Sequence, residues 1–304
     1  MEKFTVPGAS DGVQLSTLVI APESPKAVVQ FVHGMAEHKE RYYPLMTYLS
    51  EMGYACLVTD LRGHGATVTT PDDLGYFGKE GWKGLIQDTK SIVSYARRQF
   101  PGMKIFLLGH SMGSFMARSY IGEYPDDFDL CILSGTGHTP GIVCAAGKAM
   151  AKSEIKKHGS KYRSPKLQDL AFGSYLKGIE DPIGANDWIC RDEAVIRAYD
   201  ADPLCGFPGT AGLMYDMMTG LSLIGSSSHI AKMKKDLPVL FIAGEADPVG
   251  GWGKTVRQVE SRFRAAGMRD VSAVYYPGMR HEVLNEIGKE QVWQDVLGWI
   301  TEHI

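Results

Sequence analysis

Apolar and polar positions in the first 135 residues fall into two alternating rhythms. Short apolar runs at Leu15–Ile20, Ala27–Val32, Ala55–Thr59, Lys104–Leu108 and Leu130–Leu133 read as strands. Between them, helical spacing runs near Tyr42–Met52, Trp82–Phe100 and Met112–Tyr124. Continuous Val, Ile and Leu runs separated by helices are the pattern of a parallel sheet covered on both faces, since such strands have no solvated side on which to carry polar residues. From about Thr136 to Ala231 the rhythm stops, and the text becomes helical and loop-like, rich in Gly, Met and Lys, with no strand. It resumes with Val239–Ala243, a helix near Lys254–Ala266, Val271–Tyr276 and a closing helix near Asn285–His303. The expectation is an α/β fold with a mostly parallel central sheet, its core made of residues 1–135 and 232–304, and a helical cap, 136–231, inserted between the halves.

Composition leaves that picture intact. A chain of 304 residues with 44% hydrophobic and 22% charged residues fits one large core plus an insertion. The 32 basic and 35 acidic residues are interspersed, so no basic stripe exists to neutralise a phosphate backbone, and nucleic acid is excluded as a partner. Cys56, Cys131, Cys144, Cys190 and Cys205 are scattered without a CxxC pair, which points to neither a disulfide framework nor a zinc site. With no G-x-G-x-x-G, HExxH or Walker pattern, no metal or other cofactor is expected. The absence of a leader-like start and of a membrane-length apolar run gives a cytoplasmic expectation.

The chemistry begins at Gly109-His110-Ser111-Met112-Gly113, a G-x-S-x-G segment between an apolar strand and a helix. At such a junction the serine sits in a tight turn with its hydroxyl exposed above the sheet, and glycines on either side avoid collision with the adjoining strand and helix. The amide of Met112 then lies at a helix N-terminus, where an unpaired N–H can meet a developing oxyanion. Of nine histidines, only His281 follows the last strand, through Pro277-Gly278-Met279-Arg280, at the sheet edge where open α/β folds place ligands. The acid that orients a base should fall between serine and histidine at a strand end. Asp247, reached through Gly244-Glu245-Ala246 and followed by Pro248, fits best; Glu245 is the rival, and Asp60 breaks the order. Ser111 is thus the candidate nucleophile, His281 the base and Asp247 its partner. A second oxyanion donor is expected in the loop after the third strand, where Gly34 permits close approach and the amide of Met35 would donate.

These segments resemble the monoacylglycerol lipase and lysophospholipase group of α/β-hydrolases. The resemblance is carried by His33-Gly34-Met35-Ala36-Glu37-His38 with Arg41-Tyr42, Asp60-Leu61-Arg62-Gly63-His64-Gly65, Gly109 to Gly113, Asp200-Ala201-Asp202-Pro203-Leu204, and Arg280-His281-Glu282 with Leu284-Asn285-Glu286. It implies the α/β-hydrolase fold with a helical cap between the sixth and seventh strands. It also implies hydrolysis, through an acyl-enzyme, of a carboxylic ester with one acyl chain and a polar alcohol head. Ser111, Asp247 and His281 match the family's triad, and the amides of Met35 and Met112 its oxyanion hole.

Substrate contacts are expected from Gly34 and His110 beside the nucleophile and from Met214, Met217, Met218 and Leu221 in the methionine-rich segment Leu213–Ile224, an adaptable wall for an acyl chain. A helix simply packed on the core would read the same way. The basic run Lys148–Lys157, with Lys152, Lys156 and Lys157, is either a solvated face or a transient contact with an anionic membrane surface. Two further readings stay open: an amidase, peptidase or thioesterase on the same triad, and a non-catalytic receptor for a small apolar ligand.

Overall fold

Five strands buried at every position form the centre of the molecule, as their uninterrupted apolar runs require. The computed structural model describes all 304 residues. In chain order the strands are β1 (Glu2–Pro7), β2 (Gln14–Ile20), β3 (Val28–Val32), β4 (Ala55–Thr59), β5 (Ile105–His110), β6 (Leu130–Ser134), β7 (Val239–Gly244) and β8 (Val271–Tyr276). They form one sheet in the order β1-β2-β4-β3-β5-β6-β7-β8. β4 through β8 pair in parallel, while β1 runs antiparallel to β2 and β2 antiparallel to β4.

Helices cover both faces. On one side lie α1 (Tyr43–Glu51) and α10 (Lys289–Glu302); on the other, α2 (Gly81–Gln99), α3 (Met112–Glu123) and α9 (Lys254–Ala265). Between β6 and β7 the chain makes α4 (Gly141–His158), α5 (Pro165–Phe172), α6 (Glu193–Ala201), α7 (Ala211–Ile224) and α8 (Ser227–Ile230), with no strand among them.

Of these, α7 is seated most firmly on the sheet layer. Thr210 caps it, its hydroxyl accepting from Leu213 N at 3.0 Å. Leu213, Met214, Met217, Leu221 and Ile224 join the same apolar cluster as Trp82, Phe115 and Ile121, and each such side chain contributes about 1.5–3 kcal/mol of burial. Trp82 lies so close that a Cβ at Gly220 would stand 2.1 Å from its ring. The contact of α7 with α2 therefore depends on a glycine in mid-helix.

Two elements depart from the sequence reading. β1 is added at the sheet edge; only Val6 of its six residues is buried, so its sequence lacks the apolar run that marks a strand. The closing helix starts at Lys289 rather than Asn285, because Gly288 takes a left-handed φ of 86° and residues 282–287 bond elsewhere. No helix is long and apolar enough to cross a membrane.

Candidate active site

Ser111 stands between β5 and α3 at φ 52°, ψ −120°, a conformation that costs a non-glycine residue on the order of 1–3 kcal/mol. Its surroundings hold it there. Its N–H donates to Ser134 O at 2.9 Å, and its carbonyl accepts from Ser114 N at 2.8 Å and Ser114 Oγ at 2.6 Å. The flanking glycines are forced by the same geometry: a Cβ at Gly109 would lie 2.3 Å from Gly113 O, and one at Gly113 only 2.0 Å from Val32 O.

Asp247 and His281 arrive from the turns after β7 and β8. The Asp247 carboxylate is fully buried; Oδ1 accepts from Val249 N at 2.8 Å, and Oδ2 lies 3.0 Å from His281 Nδ1. The other ring nitrogen, Nε2, is buried without a partner in the protein, and His281 lines the same cavity as Ser111. Burial alone would lower the His281 pKa, but the adjacent Asp247 carboxylate, helped by Glu282 and Glu37, outweighs it and the pKa is raised above 6.5. The ring also requires Gly135, which has φ +59° and whose added Cβ would meet His281 Cε1 at 2.9 Å. The competing acids are engaged elsewhere. Glu245 is half-exposed and pairs with Arg257 at 2.8 Å, while Asp60 accepts from Lys39 N and Ala66 N, each at 2.8 Å, and from Lys39 Nζ.

The loop after β3 faces Ser111. A Cβ at Gly34 would stand 2.8 Å from Glu37 Oε1 and 3.2 Å from Ser111 Cβ, so a side chain there would crowd both. His33 Nε2 accepts from Leu61 N at 2.9 Å, which leaves the proton on Nδ1 to donate to Gly34 O at 2.7 Å. A trans peptide sets its C=O and N–H on opposite sides, so this bond turns the Met35 N–H away from the His33 ring. Neither Met35 N nor Met112 N has an acceptor within the protein.

One buried cluster goes beyond the sequence reading, which quoted its residues without giving them a task. Arg41 Nη1 donates to Glu37 Oε2 at 2.7 Å, and its two terminal nitrogens meet the Glu282 carboxylate at 2.7 and 2.6 Å. Glu37 Oε1 in turn accepts from Gly34 N at 2.5 Å and Tyr42 Oη at 2.9 Å. Burial raises the Glu37 pKa, but Arg41, His110, His33 and the Gly34 N–H together outweigh it and hold the group at about 2. Arg41 thus links the Gly34–Met35 loop to the residue beside His281. Trp188 and Tyr175 were also missed: Trp188 lies 5.1 Å from the His281 ring and Tyr175 4.9 Å from Trp188, contacts made from the far side of a long insertion.

The cavity above Ser111 has a volume of about 720 Å³. All the candidate contacts line it: Gly34, Met35, His110, Met112, Met214, Met217, Met218 and Leu221. His110 is held by a 3.1 Å contact from Nδ1 to Ser134 Oγ, and burial lowers its pKa to about 4. Met214 and Met218 are shared with an almost wholly apolar groove of about 490 Å³ between α4, α5 and α7, open to solvent at Ile142 and Leu170. Lys152, Lys156 and Lys157 are exposed and in no ion pair. His38, Asp202 and Cys205 bring metal-ligating atoms within 4.8 Å of one another, but Glu40 and Asp202 each occupy a His38 nitrogen at 2.9 Å. Burial works against charge on His38, yet the hydrogen bonds from its two nitrogens to Glu40 and Asp202, with Cys205 beside them, raise its pKa to about 11, so the trio holds a charged imidazolium.

Residues 23–288 match the family described as serine aminopeptidase, S33. A monoacylglycerol lipase of Mycolicibacterium smegmatis is 28% identical over 303 residues, covering 96% of this chain and 95% of that protein. The human monoglyceride lipase is 24% identical over 292 residues, covering 92% and 84%. A thermostable carboxyl esterase from Bacillus coagulans, solved with glycerol, superposes with a TM-score of 0.92 at 26% identity, covering 99% of this chain and 98% of that one. The chain therefore belongs to the serine aminopeptidase S33 family, among its monoacylglycerol lipase-like members, and is a carboxylic ester hydrolase with the α/β-hydrolase fold.

Proposed function

We propose that the protein cleaves esters of monoacyl lipids through an acyl-enzyme on Ser111. The observation that carries this reading is the His281 ring, tied at Nδ1 to a buried Asp247 and unpaired at Nε2 in the cavity that Ser111 lines. His281 Nε2 takes the Ser111 hydroxyl proton as Oγ bonds to the ester carbonyl carbon, and the carbonyl electron pair moves to oxygen. The N–H groups of Met35 and Met112 receive that oxyanion, each worth on the order of 10²–10³ in kcat. Collapse breaks the ester C–O bond, and the imidazolium gives its proton to the departing alcohol. Water then repeats the cycle on the acyl-enzyme, releasing the carboxylic acid and restoring Ser111. Asp247 stays ionised, fixing the ring and stabilising its charged form.

The monoacyl substrate is supported by the names of the relatives and by the cavity. Its methionine wall and the adjoining apolar groove suit one flexible acyl chain. An aminopeptidase would need a free carboxylate for a substrate ammonium group; of the three lining the cavity, Glu37, Asp169 and Glu282, two are taken by Arg41, which leaves only the exposed Asp169 for that task.

The test is hydrolysis of p-nitrophenyl esters of two to sixteen carbons, a monoacylglycerol, a lysophosphatidylcholine and an aminoacyl anilide by the parent and Ser111→Ala. Expected is greatest turnover on a monoacyl lipid, lost on the order of 10⁶-fold in the variant. Activity confined to short esters or the anilide would remove the lipid assignment, and an active Ser111→Ala would remove the acyl-enzyme.

A further inference from the structure

The loop that carries His281 is fastened to the insertion by a carboxylate that the reaction does not use. Glu286 is buried, its side chain wholly out of solvent. Its Oε1 accepts from Arg280 N at 2.8 Å and Arg191 N at 3.1 Å; its Oε2 accepts from Ile287 N at 2.9 Å and Arg191 Nε at 3.0 Å. Each oxygen therefore takes one donor from the His281 loop and one from Arg191. The stitching continues alongside: Arg280 Nη1 donates to Asp187 O at 2.6 Å and Cys190 O at 3.0 Å, and Glu282 N to Ile189 O at 2.8 Å. Trp188, in the middle of that segment, is the residue whose ring faces His281 at 5.1 Å.

We propose that Glu286 is a positioning residue for the base, clamping residues 280–287 to 187–191 so that His281 is held against Asp247 with Nε2 turned into the cavity. The proposal rests on the acyl-enzyme reading above. By itself, a single 3.0 Å bond between Asp247 and Nδ1 would let the ring swing about that contact. Fixing the backbone on both sides of His281, and the indole above it, removes the freedom. A carboxylate suits the task because two oxygens with about four lone-pair sites match four N–H donors. A glutamine offers one oxygen and turns an NH₂ against donors, leaving buried N–H groups unpaired.

The experiment measures kcat, KM, the pH profile of kcat/KM and the melting temperature with a short p-nitrophenyl ester. The proteins are the parent, Glu286→Gln and Ile92→Ala, the last a core change in α2 that loosens the fold without touching the loop. In Glu286→Gln, kcat should fall about tenfold or more with KM within about twofold. The acid limb of its profile should move to lower pH, because a looser Asp247 contact raises the His281 pKa less. Ile92→Ala should lower the melting temperature and leave the profile in place. A parental kcat and acid limb in Glu286→Gln overturns the proposal. If Glu286→Gln does not fold, Arg280→Met, which removes the bonds to Asp187 O and Cys190 O, must show the same shift, and an unshifted profile there overturns the proposal equally. Ser111→Ala, run in parallel, separates the two readings: an inactive Ser111→Ala beside a parental Glu286→Gln removes the positioning role alone, whereas an active Ser111→Ala removes the acyl-enzyme and this proposal with it.

Discussion

Arg41 and Glu282 meet fork to fork across 241 residues of sequence, with nitrogen–oxygen distances of 2.7 and 2.6 Å, and the same Arg41 Nη1 also donates to Glu37 at 2.7 Å. Two turns on opposite sides of Ser111, one bearing Met35 and one bearing His281, therefore share a single guanidinium.

Removing that guanidinium would leave two buried carboxylates without their cation. Arg41→Met should lose about 3–5 kcal/mol of stability, read from urea unfolding. Arg41→Lys should recover only part of it, because a point charge cannot form the planar fork. Equal stability of Arg41→Met and parent would show that the cluster is not what joins the turns.

Gly135→Ala introduces a methyl group where His281 Cε1 would lie 2.9 Å away, at a φ of +59°. The ring must retreat from Asp247, so kcat/KM for a short ester should fall at least about tenfold, with slower fluorophosphonate labelling of Ser111. Unchanged labelling would contradict the tight seat.

In the proposed mechanism neutral His281 is the active form, and Asp247, with Glu282 and Glu37, raises its pKa against the effect of burial. The acid limb of kcat/KM should therefore have its midpoint above 6.5. Asp247→Asn should move that midpoint down and cost about 10⁴-fold in kcat. A midpoint at or below 6.5 in the parent would mean that another group controls the limb.

Stability should decline in acid for a related reason. Burial holds the His110 pKa at about 4 and the His64 pKa at about 3, so both stay neutral in the folded protein while the unfolded chain takes up their protons below pH 6.5. Each group then contributes a loss of about 1.4 kcal/mol per pH unit between 6.5 and its folded pKa. His281, whose pKa is raised, has the opposite sign: its stabilisation is full below 6.5 and fades as pH rises through the folded value. Urea midpoints from pH 7 to 4.5 should fall, and a flat series would count against neutral buried imidazoles.

Met218 lies on the wall shared by cavity and groove. Met218→Trp should narrow the passage and lower the ratio of dodecanoyl to butanoyl ester turnover about tenfold, a discrimination within what packing supplies. An unaltered ratio would direct the acyl chain elsewhere.

Much of this molecule is written in local pattern. The apolar runs of β3 to β8 and the Gly109–Gly113 elbow are short-range features, because strand burial and turn sterics act over a few residues. Chain order then sufficed to nominate Asp247 and His281 behind Ser111. β1 left no such mark, since an edge strand with one buried side chain needs no apolar run.

Fold class, elbow and the order of the candidate triad were determined by sequence alone, because each depends on periodicity, backbone sterics or strand-end position. The Arg41 clamp, the Glu286 stitching, the indole over His281 and the joining of the methionine wall to an apolar groove were decided only by tertiary structure. The Arg41–Glu282 and Arg191–Glu286 contacts join residues 241 and 95 positions apart, and whether a charge is buried beside its partner or left in water depends on how the whole chain closes, which no local pattern of side chains encodes.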